Sequence, residues 1–372
     1  MSWRSCRLGD VLTLKRGHDL PEHSRQDGDV PVVSSSGITG RHKEAKAKAP
    51  GVVTGRCGTI GEVFYLEEDY WPLNTALYVI DFKGNDPRFS AYFLRNILKD
   101  YQSEKAAVPG VDRNVLHEIK VHAPDYAAQR RITDVLSAYD DLVENNRRRM
   151  ALLEESARLL YREWFVRLRF PGYEHTRIVD GVPQGWERNT VGDLCDEIRE
   201  LVLPDALEPD TPYIGLEHMP RRSIALGDWG KVEQVTSSKS RFKAGEILFG
   251  KIRPYFHKVG VAFVDGVASS DAIVIRPTAE KLHALVLMTL SSDEFVAVTA
   301  QQMKEGSKMP RADWKQMQAY PVPLPPSGLL SNFDAVIQPI IAQLKSLTFA
   351  NQKLRTARDL LLPRLMSGEL AV

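Results

Sequence analysis

Two stretches of this chain carry their seam residues at alternating spacings of four and three. The first runs Ile132, Leu136, Tyr139, Val143, Asn146, Met150, Leu153, Ala157, Leu160 and Trp164; the second runs Phe333, Ile337, Ile340, Leu344, Leu347, Asn351, Leu354, Arg358, Leu361 and Leu365. That rhythm keeps one stripe on one face of an α-helix over many turns, as in a coiled coil. Asp125 after Pro124 supplies an N-cap and Pro171-Gly172 a stop, so the first helix is predicted to span about forty residues, or roughly 60 Å. The second seam is less regular, with Arg358 at a core position and Pro339 inside the pattern. An interior proline costs about 3 kcal/mol, which predicts a kink or a restart near Gln338-Pro339.

One helix in water cannot satisfy so long a seam. Each stretch is expected to pair with the other, with Asn146 and Asn351 fixing the register at some cost in stability. The alternative is that each packs only onto its own domain, although a helix of this length overhangs a compact domain of about 125 residues. The charged runs Asp140-Asp141, Arg147-Arg148-Arg149 and Glu154-Glu155 read as solvated outer faces.

Between the helices the period changes. Val30–Val33, Gly51–Thr54, Glu62–Tyr65 and Ala76–Ile80 in the first half, and Glu246–Gly250, Val259–Phe263 and Asp271–Ile275 in the second, are β-rich runs bounded by Gly, Pro and Asn. Shorter helices are predicted over Arg88–Asp100 and Leu282–Ser291. Each half is thus a mixed domain with a β core.

The halves repeat. Trp3-Arg4-Ser5-Cys6-Arg7-Leu8-Gly9-Asp10 returns as Trp186-Glu187-Arg188-Asn189-Thr190-Val191-Gly192-Asp193. Pro109, Asp112, Val121 and Pro124 match Pro310, Asp313, Val322 and Pro325, and the same offset carries Leu159-Leu160 onto Leu360-Leu361. The second copy holds an insertion of roughly twenty residues, and each copy is far longer than a solenoid repeat, so this is a domain duplication. A duplicated reader with a duplicated spacer suits a ligand addressed at two separated stretches, such as duplex DNA.

Composition changes this picture little. The 372 residues allow about two domains. Cys6, Cys57 and Cys195 have no C-x-x-C spacing and no histidine cluster beside them, which argues against a disulfide framework or a zinc site and fits a reducing cytoplasm. The N-terminus has no signal-peptide core, and no apolar run approaches the ~20 residues of a membrane span. Net charge is +1, yet the charge is uneven. From Arg221 to Lys258 nine Lys or Arg residues face Asp228, Glu233 and Glu246; from Ile38 to Gly58 five face Glu44. Such patches attract phosphates even on a balanced protein, because screening confines each charge to about 10 Å.

Catalytic chemistry is not evident. Gly55-Arg56-Cys57-Gly58-Thr59-Ile60-Gly61 lacks the spacing and the lysine of a phosphate loop, no H-E-x-x-H occurs, and the nine histidines are scattered. What remains suits DNA: arginine grips guanine through paired hydrogen bonds, while lysine and hydroxyl side chains meet phosphates. The basic, aromatic run Phe249-Gly250-Lys251-Ile252-Arg253-Pro254-Tyr255-Phe256-His257-Lys258 follows a strand directly, and Thr54-Gly55-Arg56 holds the same place in the first copy. The residues expected to meet DNA are Ser35, Ser36, Arg41, Lys43, Arg56 and Arg113 in the first half, and Lys251, Arg253, Tyr255, His257, Lys258, Ser270, Lys308 and Arg311 in the second. The bland reading is that the basic residues only decorate hairpins.

Taken together, Pro183-Gln184-Gly185-Trp186-Glu187, Ile247-Leu248-Phe249-Gly250-Lys251-Ile252-Arg253-Pro254-Tyr255, Tyr320-Pro321-Val322-Pro323-Leu324-Pro325, Leu159-Leu160-Tyr161-Arg162-Glu163-Trp164-Phe165-Val166 and Leu361-Leu362-Pro363-Arg364-Leu365-Met366-Ser367-Gly368-Glu369-Leu370 make the chain resemble the specificity subunit of type I restriction-modification enzymes. The resemblance spans the whole chain. It implies an α+β fold: two mixed β-rich target-recognition domains in tandem duplication, separated by two long antiparallel helices forming a coiled coil. The corresponding boundaries are 1–127 and 185–328 for the recognition domains, 128–170 and 329–372 for the spacer helices, and 171–184 for a linker. The expected seam contacts are Leu136, Val143, Asn146, Leu153 and Leu160 against Leu344, Leu347, Asn351, Leu354 and Leu361.

The resemblance further implies no catalysis and no cofactor in this chain. Methyltransferase subunits would carry S-adenosylmethionine and flip the target adenine, and a nuclease-translocase subunit would use ATP and magnesium. Where the family usually shows Glu-Gln before the helix, this chain has Ala128-Gln129 and Leu330-Ser331. Two other function classes stand beside this one: an enzyme with its own methyltransferase or nuclease centre, and a coiled-coil scaffold with no nucleic-acid role.

Overall fold

A computed structural model describes residues 3–59, 61–99, 110–301 and 310–372. They form two compact units, one of residues 1–143 with 353–372 and the other of residues 144–352.

In the first unit a ribbon pairs Trp3–Arg7 with Lys120–Pro124. Beyond it, strands Thr13–Arg16, Ala76–Asp81, Gly51–Gly55 and Val63–Leu66 make an antiparallel sheet in that order, and Gly37–His42, Val30–Ser34 and Trp71–Pro72 make a three-stranded one. The helix Pro87–Lys99 buries Phe89, Phe93 and Leu94 with Leu12, Val52 and Leu77. The runs read as strands from their β-branched content are strands, because each buries one or both faces in this core.

The second unit repeats the plan with longer sheets. Its ribbon pairs Glu187–Thr190 with Pro321–Leu324. One five-stranded sheet runs Cys195–Ile198, Ala272–Pro277, Ile247–Gly250, Val259–Ala262 and Ala225–Leu226; a second holds Leu201–Val202, Lys239–Phe242, Gly266–Ala268, Pro212–Ile214 and Gly230–Lys231. The helix His283–Leu290 is buried on nearly every side.

The duplication is visible bond by bond. Asp112 accepts from the amide of Asn114 and Asp313 from that of Lys315, each capping a short helix. Val121 pairs with Cys6 and Val322 with Asn189, both valines buried. The amide of Leu8 donates to Ile119 O, as that of Val191 does to Tyr320 O. Pro109 lies outside the described residues.

The long helices are Tyr126–Tyr161, closed by a π turn at Arg162–Val166, and Ser327–Met366. Asp125 caps the first through the amide of Ala128. Within each unit the two helices pack against each other antiparallel. In the first unit Arg358 pairs with Asp140, and Leu362 and Leu365 join Ile132 and Leu136 in one core. In the second, Asn146 Nδ2 donates to Asn351 Oδ1 at 2.9 Å, and Phe165 meets Phe333 edge-on at 4.8 Å between ring centres.

Each of the twenty seam positions is buried or half-buried, whereas Leu142, Leu152, Leu159, Val336 and Leu360 on other faces are exposed. Each helix also packs on a domain core in both of its halves: Ile132 and Leu136 join the core of the first unit and Ala157 and Tyr161 that of the second, while Phe333 and Ile337 join the core of the second and Leu362 and Leu365 that of the first.

Three expectations need correction. The second helix does not restart at Pro339: the ring sits on an exposed face, and Ala335, whose carbonyl loses its helical donor there, is itself open to water. Asp140 is no solvated charge, since it pairs with Arg358 and accepts from Tyr92 Oη at 2.6 Å. Nor is Glu154, which is 6% exposed and bonded to Ser223, Ile224 and Ala225.

Candidate nucleic-acid interface

A basic side chain follows the same sheet strand in both units, and the backbone around it is built alike. In the second unit the strand Ile247–Gly250 ends beside Ala272, and the amide of Lys251 donates to Asp271 O. In the first, Gly51–Gly55 ends beside Ala76, and the amide of Arg56 donates to Thr75 O. The carbonyls of Lys251 and Arg56 then accept from Ala312 and Val111. Even the side chains agree: Lys251 Nζ donates to Ser270 O at 3.3 Å and Arg56 Nε to Asn74 O at 3.0 Å. Isolated bridges continue the match, Ile252 with Arg311 and Cys57 with Gly110.

From that frame the second unit projects a tight turn. Arg253 has a φ of 49° and His257 one of 55°, with Pro254–Phe256 as a 3-10 turn between them, and neighbouring Arg222 has a φ of 57°. Three residues with side chains in the left-handed region cost roughly 1–3 kcal/mol each, and such strain collects at ligand sites. The turn is held by hydrogen bonds from the amide of Arg253 to Pro310 O, from that of Gly250 to Lys258 O and from that of Arg222 to His257 O.

This fixes where the expected contacts point. Arg253 and Tyr255 are exposed; the tyrosine ring packs edge-on against Phe256 at 5.0 Å. Lys258 is half-buried, its ammonium donates to Leu216 O, and burial lowers its pKa. Ser270 and Arg311 are exposed, with Arg311 pairing with Asp271 at 3.1 Å.

His257 faces inward instead. It is 5% exposed, its Nε2–H donates to Ser291 O at 2.8 Å, and burial depresses its pKa, so it is a neutral strut of the turn and not a surface contact. Lys308 lies outside the described residues.

In the first unit Arg56, the counterpart of Lys251, is half-buried. Ser35 is half-buried against Gly55 and Gly58, where a Cβ at Gly55 would meet Thr59 O at 1.9 Å, so this turn requires glycine. Ser36 is exposed and joined to Ser34 at 3.0 Å. Arg41, Lys43 and Arg113 are exposed, and the Arg41 guanidinium donates to Asp29 O.

The sequence reading missed one cluster beside the second turn. Glu154, on the long helix, accepts from Ser223 Oγ at 2.6 Å and from the amides of Ile224 and Ala225 at 2.9 and 3.2 Å. Arg158 braces it at 3.3 Å, and desolvation raises the pKa of Glu154. Arg222 is bound to Asp293, which also faces His257. A glutamate flanked by Glu155 on a heptad helix gives no sign in sequence that it reaches a loop 70 residues away.

Among the described residues no group of three or more His, Cys, Asp or Glu is placed to hold a metal, and no single helix is long and apolar enough to cross a membrane. The three cysteines are free, and burial pushes the Cys195 thiol up to about 12.

Twin mixed domains, each closed by paired long helices and mounting a basic side chain on the same turn, define a duplicated recognition protein. The sequence profile of the type I restriction modification DNA specificity domain matches residues 2–155 and 183–353. The chain belongs to that family and is a specificity subunit, a role with no catalysis and no catalytic cofactor of its own. It is 24% identical over 312 residues to the Type I restriction enzyme MjaIX specificity subunit of Methanocaldococcus jannaschii, covering 76% of this chain and 68% of the relative. It is 20% identical over 353 residues to the EcoDI specificity subunit of Escherichia coli, covering 88% and 78%. The crystal structure of a type I restriction-modification S subunit from M. genitalium shares the fold, with a TM-score of 0.60 at 15% identity over 98% of this chain and 96% of that one.

Proposed function

We propose that each unit reads one half of a bipartite DNA target and that the paired helices set the distance between the halves. In this reading residues 1–127 and 185–328 are the target-recognition domains, 128–170 and 329–372 the spacer helices and 171–184 a linker. Methyltransferase subunits carrying S-adenosylmethionine methylate adenine at the target, and a restriction subunit using ATP and magnesium cleaves DNA, all in the cytoplasm. The reading is supported above all by the twin placement of Arg56 and Lys251, each directly after a sheet strand and each tied to the carbonyl at the same point of its neighbour.

The physical case is one of effective concentration. Two weak half-site contacts held at the right separation bind as one strong contact, and a stiff spacer serves better than a flexible linker. Affinity from phosphates falls steeply with salt, while selectivity comes from arginine and lysine at base edges. Arg56, Lys251, Arg253, Tyr255 and Arg311 are proposed as contacts, with Ser35, Ser36, Arg41, Lys43, Arg113, Lys258, Ser270 and Lys308 as further ones.

Single-molecule sequencing of host DNA, with and without this gene, tests the reading. A methylated-adenine motif of two specified blocks around an unspecified gap, lost with the gene, supports it. A motif that persists without the gene refutes it. Methylation by the purified chain alone favours an enzyme, and duplex binding indifferent to salt favours a scaffold.

A further inference from the structure

Arg221 stands outside the basic turn in sequence but stacks on it in space. Its guanidinium carbon lies 3.9 Å from the centre of the Phe256 ring, and that of Arg253 lies 5.8 Å from the same ring. Both side chains are exposed, and among the described residues neither forms an ion pair with a carboxylate. The surrounding cations contrast with them: Arg222 is taken up by Asp293 and Arg311 by Asp271. Two guanidiniums without a carboxylate partner, gathered around one aromatic ring, repel each other, and an anionic or electron-rich partner offsets that cost.

Arg221 is also rigidly mounted. The next residue, Arg222, is fixed in the left-handed region by the hydrogen bond its amide donates to His257 O at 2.8 Å. The three residues after that are fixed by the buried Glu154 carboxylate. A flat guanidinium stacked on a ring on a braced backbone loses little freedom on binding, which suits bidentate recognition of a base edge better than loose contact with a phosphate.

We propose that Arg221 is a second reading residue of this unit, held by Phe256 so that Arg221 and Arg253 address the same base step of one half-site. The proposal rests on the reading of the chain as a DNA specificity subunit and adds a residue and a clamp to it.

The test uses the full-length chain assembled with its methyltransferase subunits, and duplexes carrying the mapped target or each single-base variant of it. Arg221→Ala is expected to weaken binding to the target by about tenfold or more, and to relax preference at the same one or two positions that Arg253→Ala relaxes. Phe256→Leu, which removes the shared ring, should reproduce both losses in milder form, and Arg221→Lys should fail to restore selectivity. The Arg221→Ala, Arg253→Ala double variant should lose less than the product of the single losses, as expected for two groups acting together.

Binding within about twofold of wild type for Arg221→Ala overturns the proposal. So does a uniform loss across all sequences with a salt slope reduced by about one, which marks a phosphate contact. If the wild-type assembly does not discriminate target from variant duplexes, the specificity reading itself falls. If it does discriminate and only Arg253→Ala matters, the clamp alone is wrong.

Discussion

Arg358 of the second long helix pairs with Asp140 of the first, at a seam position whose neighbours one heptad away, Asn351 and Leu365, are buried. Asp140 also accepts from Tyr92 Oη, and Arg95 approaches to 4.0 Å. The charged residue that spoils the heptad is thus satisfied by a carboxylate from the facing helix and helps select the pairing.

Removing Asp140 should matter more than removing Arg358. Asp140→Ala leaves the Arg358 guanidinium, 16% exposed, with only Asp359 on its own helix at 2.8 Å and strands the Tyr92 hydroxyl, at a cost of about 2 kcal/mol allowing for partial solvent access. Arg358→Met leaves Asp140 with Tyr92 and Arg95 and should cost about 1 kcal/mol or less. Amide exchange across residues 132–140 reads both, and equal protection losses would contradict this account.

Glu154 is expected to position the reading loop through its acceptor oxygens more than through its charge. Glu154→Ala leaves the Ile224 amide and the Ser223 hydroxyl without an acceptor, each worth about 1–3 kcal/mol when buried, and the Ala225 amide with only Ser223 Oγ at 3.4 Å, and should lower both stability and target affinity. Glu154→Gln keeps one acceptor oxygen and should retain most of both. Target dissociation constants of the two variants settle the point, and a glutamine variant as impaired as alanine would assign the role to charge.

Acid should weaken the second unit through His257. Its folded pKa lies below the ordinary 6.5, mainly from burial, with Arg222 and Arg158 also lowering it and Ser291 and Asp293 opposing. The unfolded chain therefore takes up the proton first, so this contribution to stability is full above about pH 6.5 and is lost as pH falls through the folded value. The stability difference between wild type and His257→Asn should move against wild type from about pH 7.5 to about pH 5. A difference that stays flat across that range would remove His257 as the cause.

Periodicity made much of the architecture legible, and residue type in isolation made the site only partly so. The seam could be read because a long apolar stripe must be covered, and the twin frame could be read because the duplication repeats Asp112 as Asp313 and Gly9 as Gly192. Pro339 misled because a helix tolerates a proline whose freed carbonyl stays wet. Glu154 and His257 misled for a shared reason: whether a polar side chain faces water depends on long-range partners, Ser223 for one and Ser291 for the other, and no local pattern encodes these. Arg221 was visible only as one charge in a basic run, since its partner ring lies 35 residues on.

Shortening the spacer should change spacing alone. With seven residues removed from each long helix, one heptad on both sides of the seam, the gap between the two specified blocks is expected to shrink while the bases within them stay the same. Altered blocks around an unchanged gap would contradict the spacer role.

The central claim is that each unit reads its own half of the target. The most direct measurement is the methylated-adenine map produced with Arg56→Ala and, separately, with Arg253→Ala in the full-length chain. The account predicts that each variant relaxes positions in one block only, and that the two blocks differ. Relaxation of the same block by both variants, or of neither, would contradict it.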